Sequence, residues 1–326
     1  MSIGVKQTLS KLKKYMGMSS LKEIISHKWN QCIENKNIFF ILSEKRVQYD
    51  ANIPFIIRYL NNDDLKLKKS NLKRTGQFVD PFCLEYRRNE GSHLVVEEFD
   101  NYALLFNKFS VIDHHMILVP DTPYPQTDPL SKTDFQRMLH ILKDIPSLVF
   151  YNCGIQSGAS QPHKHIQIVP MYSFDNSELP IEKGLEEFIK KSECHNYDKC
   201  IFELPSFDFQ HGIMKVDLST INDNTSDILY AQYISLMNYL HLSTLSSTQT
   251  ITDHLVDTQQ SYNFLLTPKY MIIVPRSIDS YEGVNVNSLG FIGSLVVNNE
   301  KNNQVLEDEG PLHILKHVSI PKEKYI

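Results

Sequence analysis

Residues 150–170 read FYNCGIQSGASQPHKHIQIVP. An apolar run enters at Phe150, small residues interrupt it, and a second apolar run leaves through Val169, so the segment is read as strand, irregular turn, strand. Side chains alternate faces along a strand. His163, His165 and Gln167 therefore project together, while Lys164, Ile166 and Ile168 point the other way. In the turn, SGAS has short or missing side chains that let backbone N–H groups approach and converge on an anion.

Outward from this segment the chain is rich in short β runs. IFFIL, RVQY, PFIIRYL, HLVV, YALLF, HMILV, LVFY and HIQIV follow one another from residue 37, broken by one helix near 132–144. The connections are mostly too short for helical crossovers, which predicts an α+β fold whose antiparallel sheet has flanking helices. Further on come a long helix at 226–241 and the strands SYNFLLT, KYMIIVP and LGFIGSLVV. Helical spacing of apolar residues predicts two amphipathic helices near the start, at 5–17 and 20–35, the second capped by Ser19 or Ser20. YALLFNKFSVIDHHMILVP (102–120) and YNFLLTPKYMIIVP (262–275) share an apolar run, a polar break and a second run closing on Val-Pro. Two related halves, or two hairpins that look alike, both account for this. The expected organisation is 1–60 as N-terminal elements packed on the core, 61–175 as a catalytic half, and 176–326 as a second half completing the sheet and site. Residues 171–225 read as polar and irregular, with a loop at NDNTSD.

Composition narrows the function. With 326 residues and 33 Lys+Arg against 38 Asp+Glu, the formal net charge is -5, which disfavours nucleic-acid binding through a basic surface. The basic window KLKKSNLKR (66–74) is either a solvated loop or a grip for a small anion. No stretch approaches the ~18 apolar residues of a membrane span, and no signal peptide is visible, so no membrane partner is expected and the location is read as cytoplasmic with possible nuclear access. Five widely spaced cysteines argue against a disulfide framework. CHNYDKC (194–200) reads as a solvated loop and not a zinc site.

Three readings of the His-x-His pair compete. Zinc would need further Cys, His or carboxylate ligands, and a Gln amide is a poor substitute. A structural pair on a strand needs nothing more. The anion cradle upstream favours the third, a phosphate beside a nucleophile: an imidazole can attack phosphorus and divide one displacement into two.

HKHIQ preceded by NCGIQSGASQP resembles the histidine-triad superfamily in the transferase branch, where Gln replaces the third histidine. LLFNKF with HHMILV, SYNFLLTPKYMIIVPRS and NVNSLGFIGSLVV resemble successive segments of the fungal diadenosine tetraphosphate phosphorylases (ATP adenylyltransferases), in order, over about 95–300. The resemblance implies a histidine-triad-like fold and a reversible adenylyl transfer from diadenosine tetraphosphate to phosphate, releasing ATP and then ADP, with adenylyl sulfate as a further donor. It implies His165 as nucleophile, His163 and His115 in supporting roles, and Gln167 holding a nonbridging oxygen. Substrate contacts fall on Lys68 (or Lys69), Asn107, Lys108, Asn152, Gly158, Ala159, Ser160, Gln161, Asn287, Ser288 and Leu289. Ser294 and Asn298 stand where the family has Met and Lys, which removes one positive charge from the polyphosphate path. DHH (113–115) also departs from the family's proline and acidic residue. No resident metal is implied; Mg²⁺ would come with the nucleotide, the partners are nucleotides and phosphate, and a monomer is favoured. Two alternatives remain at this stage: a hexose-1-phosphate nucleotidylyltransferase of the same superfamily, and a nucleotide-binding protein without catalysis.

Overall fold

The computed structural model describes residues 20–60, 79–192, 194, 199–242 and 260–322. The strands are β1 (Ser43–Asp50), β2 (Ile53–Leu60), β3 (Val95–Phe99), β4 (Tyr102–Phe106), β5 (Met116–Pro120), β6 (Ser147–Cys153) and β7 (Ile166–Pro170). They continue with β8 (Gly212–Lys215), β9 (Tyr262–Leu266), β10 (Tyr270–Pro275), the two-residue β11 (Ser280–Tyr281) and β12 (Val284–Asn285), and β13 (Ser294–Val297). Eight of them form one sheet in the order β3-β4-β5-β7-β6-β9-β10-β8. Every neighbouring pair in it is antiparallel. A second sheet, β1-β2-β13, includes a parallel pairing between β2 and β13.

Alternation along the strands sends apolar side chains to both faces. Val149, Tyr151, Phe264, Met271 and Leu118 join one cluster, covered by the helices α1 (Leu21–Glu34), α3 (Lys132–Leu142) and α5 (Thr225–Tyr239). On α3, Phe135, Met138, Leu139 and Leu142 recur at helical spacing and are buried, each stabilising the fold by about 1.5–3 kcal/mol. Ser20 and Glu23 close a capping box on α1, and Ser131 with Asp134 does so on α3. The short α2 (Leu84–Arg88) lies outside this layer. The other face carries a second cluster with Phe150, Leu265, Ile272 and Val274, closed by α4 (Glu182–Lys190), α6 (Glu300–Glu309), α7 (Pro311–Val318) and the small sheet. Towards β4 and β5 that face carries a separate small cluster of Phe82, Ala103, Leu105, Ile117 and Val119. The strip between the two clusters is where His115, just before β5, and Gln167 of β7 emerge.

Several expectations change. IFFIL is not a strand; Phe39 and Ile41 donate backbone hydrogen bonds to Lys108 and Ser110 along the hairpin loop. LGFIG is a 3-10 turn, Ser288–Ile292, and only Ser294–Val297 is strand, because Gly293 at φ 86 ends the turn. The segment 171–225 is not irregular: it holds α4 and β8 and buries Phe202, Leu204, Phe207 and Phe209. Cys194 and Cys200 are joined by a disulfide, contrary to the composition argument; both are half-buried against the second cluster, which brings them together. Cys32, Cys83 and Cys153 are in no disulfide. The two similar hairpins, β4–β5 and β9–β10, each have a further strand beside their second strand, β7 in the sheet interior and β8 at its edge. β7 follows its hairpin in the chain, whereas β8 precedes its own. The expected helix at 5–17, the basic window 66–74 and Lys68 with Lys69 fall outside the described residues.

Candidate active site

β7 pairs with β6 only as far as Phe150↔Gln167. Beyond it the strands separate, while β6 stays paired to β9 through Cys153↔Tyr262. Into the gap enters the segment 124–126. Lys164 donates its N–H to Tyr124 O at 2.7 Å, Gln126 donates its N–H to Pro162 O at 2.8 Å, and Gly154 donates to Gln126 O at 3.2 Å. The Gln126 side chain spans what a continued ladder would close directly: Oε1 accepts the His165 N–H at 2.7 Å and Nε2 donates to Asn152 O at 2.8 Å. His163 and His165 are thus in an extended lead-in and not, as expected, within the strand ladder.

The alternation of faces still holds in that lead-in. Lys164, 3% exposed, turns to the α3 side and ion-pairs with Asp134 at 2.7 Å while donating to Pro129 O at 2.8 Å. Asp134 also accepts from Tyr102 OH at 2.8 Å and from Ser131. On the opposite side, His165 Nδ1 lies 2.9 Å from His163 O. A carbonyl only accepts, so Nδ1 carries the proton and Nε2 keeps its lone pair. Burial pushes the His165 ring down to about 4, against the opposing pull of the His163 carbonyl, so near neutrality it is an uncharged nucleophile. Phe82 lies over it with ring centroids 5.1 Å apart.

His163 uses both ring nitrogens on acceptors, Nδ1 with Asp80 Oδ2 at 2.7 Å and Nε2 with Pro120 O at 3.1 Å. The other Asp80 oxygen accepts the Phe82 N–H at 2.9 Å. His163 thereby ties the Phe82 turn to β5 and does not share the open edge with His165.

His115 immediately precedes β5 on the face of Ile117. Asn107 Oδ1 accepts the Phe109 N–H at 3.1 Å, which orients its amide so that Nδ2 donates to His115 Nδ1 at 3.2 Å. The His115 proton is then on Nε2, a buried atom with no hydrogen-bond partner among the described residues. Burial lowers this ring to about 4 as well; the Gln167 side chain opposes the shift and His165 adds to it. His115 and Gln167 therefore flank the nucleophile as neutral groups. Asn107, expected at a ribose, is largely committed inside the protein, and Lys108 lies beside it, half-buried.

The anion loop is built against the last part of the chain. Gly158 has φ 85, and a Cβ there would come within 2.8 Å of Val286 O and 3.1 Å of Asn287 Cβ, so only glycine allows this approach. Asn152 Oδ1 accepts from Ser288 N at 3.1 Å, Ser288 Oγ at 2.7 Å and Asn263 Nδ2 at 2.8 Å. Its Nδ2 is left as the end able to face a ligand. Asn263 also donates to Ser157 O at 2.9 Å and accepts from Arg276. Arg276 is fully buried; burial pushes its guanidinium down to about 9, and it donates to Val318 O at 2.8 Å and Val286 O at 3.1 Å. Asn287 Oδ1 caps the 3-10 turn by accepting Leu289 N–H at 3.0 Å. Ala159 is half-buried, Ser160 is exposed and Gln161 keeps a buried Oε1 without a partner among the described residues.

Asn152, Gly158, His165 and the 287–289 turn thus gather where β6 and β7 part, with Gln167 on the adjoining rung and His115, at the start of β5, near enough to act on Gln167 and His165. Ser294 and Asn298 lie apart, on and after β13, and Asn298 Oδ1 accepts from Asn299 and Asn302 at the start of α6. Among the described residues no group of three or more His, Cys, Asp or Glu side chains could hold a metal ion. Sequence reading missed Asp80, Phe82, Gln126, Asp134, Asn263 and Arg276. Only the last two fell within a quoted segment, SYNFLLTPKYMIIVPRS.

An uncharged, buried imidazole beside a phosphate-sized loop on an antiparallel sheet defines an enzyme of the nucleotidyltransferase class. Residues 11–187 match the Ap4A phosphorylase N-terminal domain and residues 205–321 the ATP adenylyltransferase C-terminal domain. The chain belongs to the Ap4A phosphorylase family. It is 31% identical over 269 residues to diadenosine 5',5'''-P1,P4-tetraphosphate phosphorylase 2 of Saccharomyces cerevisiae, covering 73% of this chain and 75% of that one. Protein APA1 of the same yeast is 28% identical over 302 residues, 87% of this chain and 88% of its own. The fold is similar to yeast Ap4A phosphorylase Apa2, with a TM-score of 0.71 for its complexes with AMP (26% identity; 94% and 98% of the two chains) and with Ap4A (25%; 93% and 98%).

Proposed function

We propose that this enzyme splits diadenosine tetraphosphate with inorganic phosphate, giving ATP and ADP, through an adenylyl group carried on His165. The observation that carries this reading is the Nδ1 contact to the His163 carbonyl, which leaves Nε2 unprotonated. Nε2 attacks the α-phosphorus, the bond to the bridging oxygen breaks, and ATP leaves with that oxygen. A phosphate oxygen then attacks the same phosphorus, the P–N bond breaks, and ADP leaves with the imidazole neutral again. Adenylyl sulfate offers the same α-phosphorus with sulfate as leaving group and would enter the first step.

Charge in the loose transition state spreads over the nonbridging oxygens. Donors fixed beforehand stabilise it: the His115 Nε2–H, the amides of Gln167 and Asn152, and the N–H groups of residues 159–161. Gln167 offers no acidic proton where a third histidine would, which favours phosphate over water as the second nucleophile. A divalent cation would enter with the polyphosphate.

His165→Ala should abolish turnover, and acid-free quenching of the wild type with labelled substrate should trap adenylyl-protein stable to base and labile to acid. No such adduct at His165 in an active preparation would refute the covalent route. Gln167→His should raise the ratio of hydrolysis to phosphorolysis, read by separating AMP from ADP among the products.

A further inference from the structure

His165 and Asn152 stand on segments that the β6–β7 ladder does not join, since its last rung is Phe150↔Gln167. The spacing between the nucleophile and the Asn152 amide is set by other contacts, and Gln126 supplies them. Its side chain, 4% exposed, is spent on main chain: Oε1 accepts the His165 N–H at 2.7 Å, while Nε2 donates to Asn152 O at 2.8 Å and to His165 O at 3.4 Å. With both N–H bonds and the carbonyl engaged, the amide acts through the residues it holds and not on substrate.

The wedge that carries Gln126 is itself moored. The Tyr151 hydroxyl donates towards Gln126 O at 2.9 Å and Asp128 O at 2.7 Å, and the Cys153 thiol lies 3.2 Å from Thr127 O. Leu130 donates its N–H to Tyr233 OH on α5 at 3.2 Å. Residues 126–130 are thus fixed to β6 and α5, and the side chain reaches out from a fixed base. On the His165 side a held backbone means a held ring, because Nδ1 is oriented by the His163 carbonyl two residues back.

We propose that Gln126 is a positioning residue for adenylyl transfer. It fixes the His165 backbone against that of Asn152, so that Nε2 meets the α-phosphorus in line while the phosphates lie against the anion loop. A displacement of about 1 Å between two such groups is enough to cost on the order of a hundredfold in rate. This rests on the proposed phosphorolysis of diadenosine tetraphosphate through His165.

The test compares Gln126→Met and Gln126→Glu with wild type in the full chain. Single-turnover formation of labelled adenylyl-protein from diadenosine tetraphosphate is followed by quenching, and ATP binding by the rise in Tm. Gln126→Met removes both ties and should slow adenylyl-protein formation by about tenfold to a hundredfold, with the ATP-dependent shift in Tm largely kept. Gln126→Glu keeps the shape, but a carboxylate accepts from the His165 N–H and cannot donate to Asn152 O; once protonated it does both. Burial raises the pKa of such a carboxyl. The Gln126→Glu rate should therefore be low in alkaline buffer and recover towards that of wild type as pH falls through neutrality, a reversal within one protein that misfolding does not imitate. Tyr124, Asp128, Tyr151, Cys153, His163, Lys164 and His165 are the titratable groups on the segments that Gln126 touches, and all are present in wild type, whose own profile is the baseline. Unchanged adenylyl-protein formation in Gln126→Met, loss of the ATP shift in proportion to the rate, or a Gln126→Glu profile parallel to that of wild type overturns the positioning role. Wild type that forms no adenylyl-protein would instead overturn the covalent reaction. The ¹⁵N shifts of the His165 ring would still judge Gln126: a single Nδ1–H tautomer in wild type and a mixture in Gln126→Met support it, and the same tautomer in both overturns it.

Discussion

His115 owes its tautomer to a peptide N–H six residues upstream. Phe109 orients Asn107, Asn107 donates to Nδ1, and the proton is left on the buried Nε2 beside Gln167. Removing the relay with Asn107→Ala should lower kcat by about tenfold with a smaller change in KM, since one preorganised donor is lost from the transition state. The ¹⁵N shifts of His115 would then report a mixture of tautomers; a single unchanged tautomer would refute the relay. His165, held to about 4, should keep kcat/KM level from neutrality down and lose it as pH falls through that value, because the imidazolium has no lone pair. At this scale the string HKHIQ made His165 and Gln167 legible, and strand alternation placed Lys164 on the opposite face. Gln126 was not legible: it reaches His165 across 39 positions, and a lone glutamine in a turn carries no periodic or motif signal.

The elements that frame the site are set by interruptions in regular structure. β7 ends its pairing with β6 at Gln167 because 124–126 is wedged in, and the anion loop can approach 286–288 because Gly158 has no side chain. Gly158→Ala should therefore push the loop away from Asn287 and lower kcat/KM at least about tenfold, and should also lower the melting temperature, since alanine at this φ costs about 1–3 kcal/mol. The buried ion pair between Lys164 and Asp134 fastens the lead-in to the first turn of α3. Lys164→Met leaves that carboxylate without its counter-charge and should cost about 3–5 kcal/mol of stability, measurable by urea unfolding. Strand and helix positions were mostly readable because periods of 2 and 3.6 are written in single residues. The 3-10 turn at Ser288–Ile292 and the extended IFFIL were misread as strands, since short apolar runs do not reveal whether a partner strand lies beside them.

Across the whole molecule, the buried histidines give the acid limb of stability. His115, His165 and His211 are each lowered to about 4 by burial, against an unfolded value of 6.5. Between those values the unfolded chain binds more protons than the folded one, so stability falls as pH drops from 6.5 towards 4 and their contribution is level above neutrality. Melting temperature measured across pH 4–8 should show that slope, and His211→Gln, away from the catalytic end, should make it shallower. An unaltered slope in that variant would count against His211 as a contributor. The overall α+β, antiparallel reading follows from short connections and survives. The disulfide between Cys194 and Cys200 was not foreseen because cysteine counting weighs number and spacing and says nothing of how closely packing draws two thiols together.

The β6–β9 ladder has a further implication for how this enzyme could be divided. It joins Val149–Cys153 to residues 262–266 through five residue pairs, and Asn263 reaches across it to Asn152. A cut in the chain between residues 187 and 205, outside both family segments, would yield two fragments, each ending its sheet in a bare, apolar edge. Neither fragment would be expected to remain soluble alone, and each carries the template on which the other pairs. Co-expressed, the two pieces should reassemble along that edge and regain turnover, making the ladder a natural splice for a two-part, recombinable catalyst.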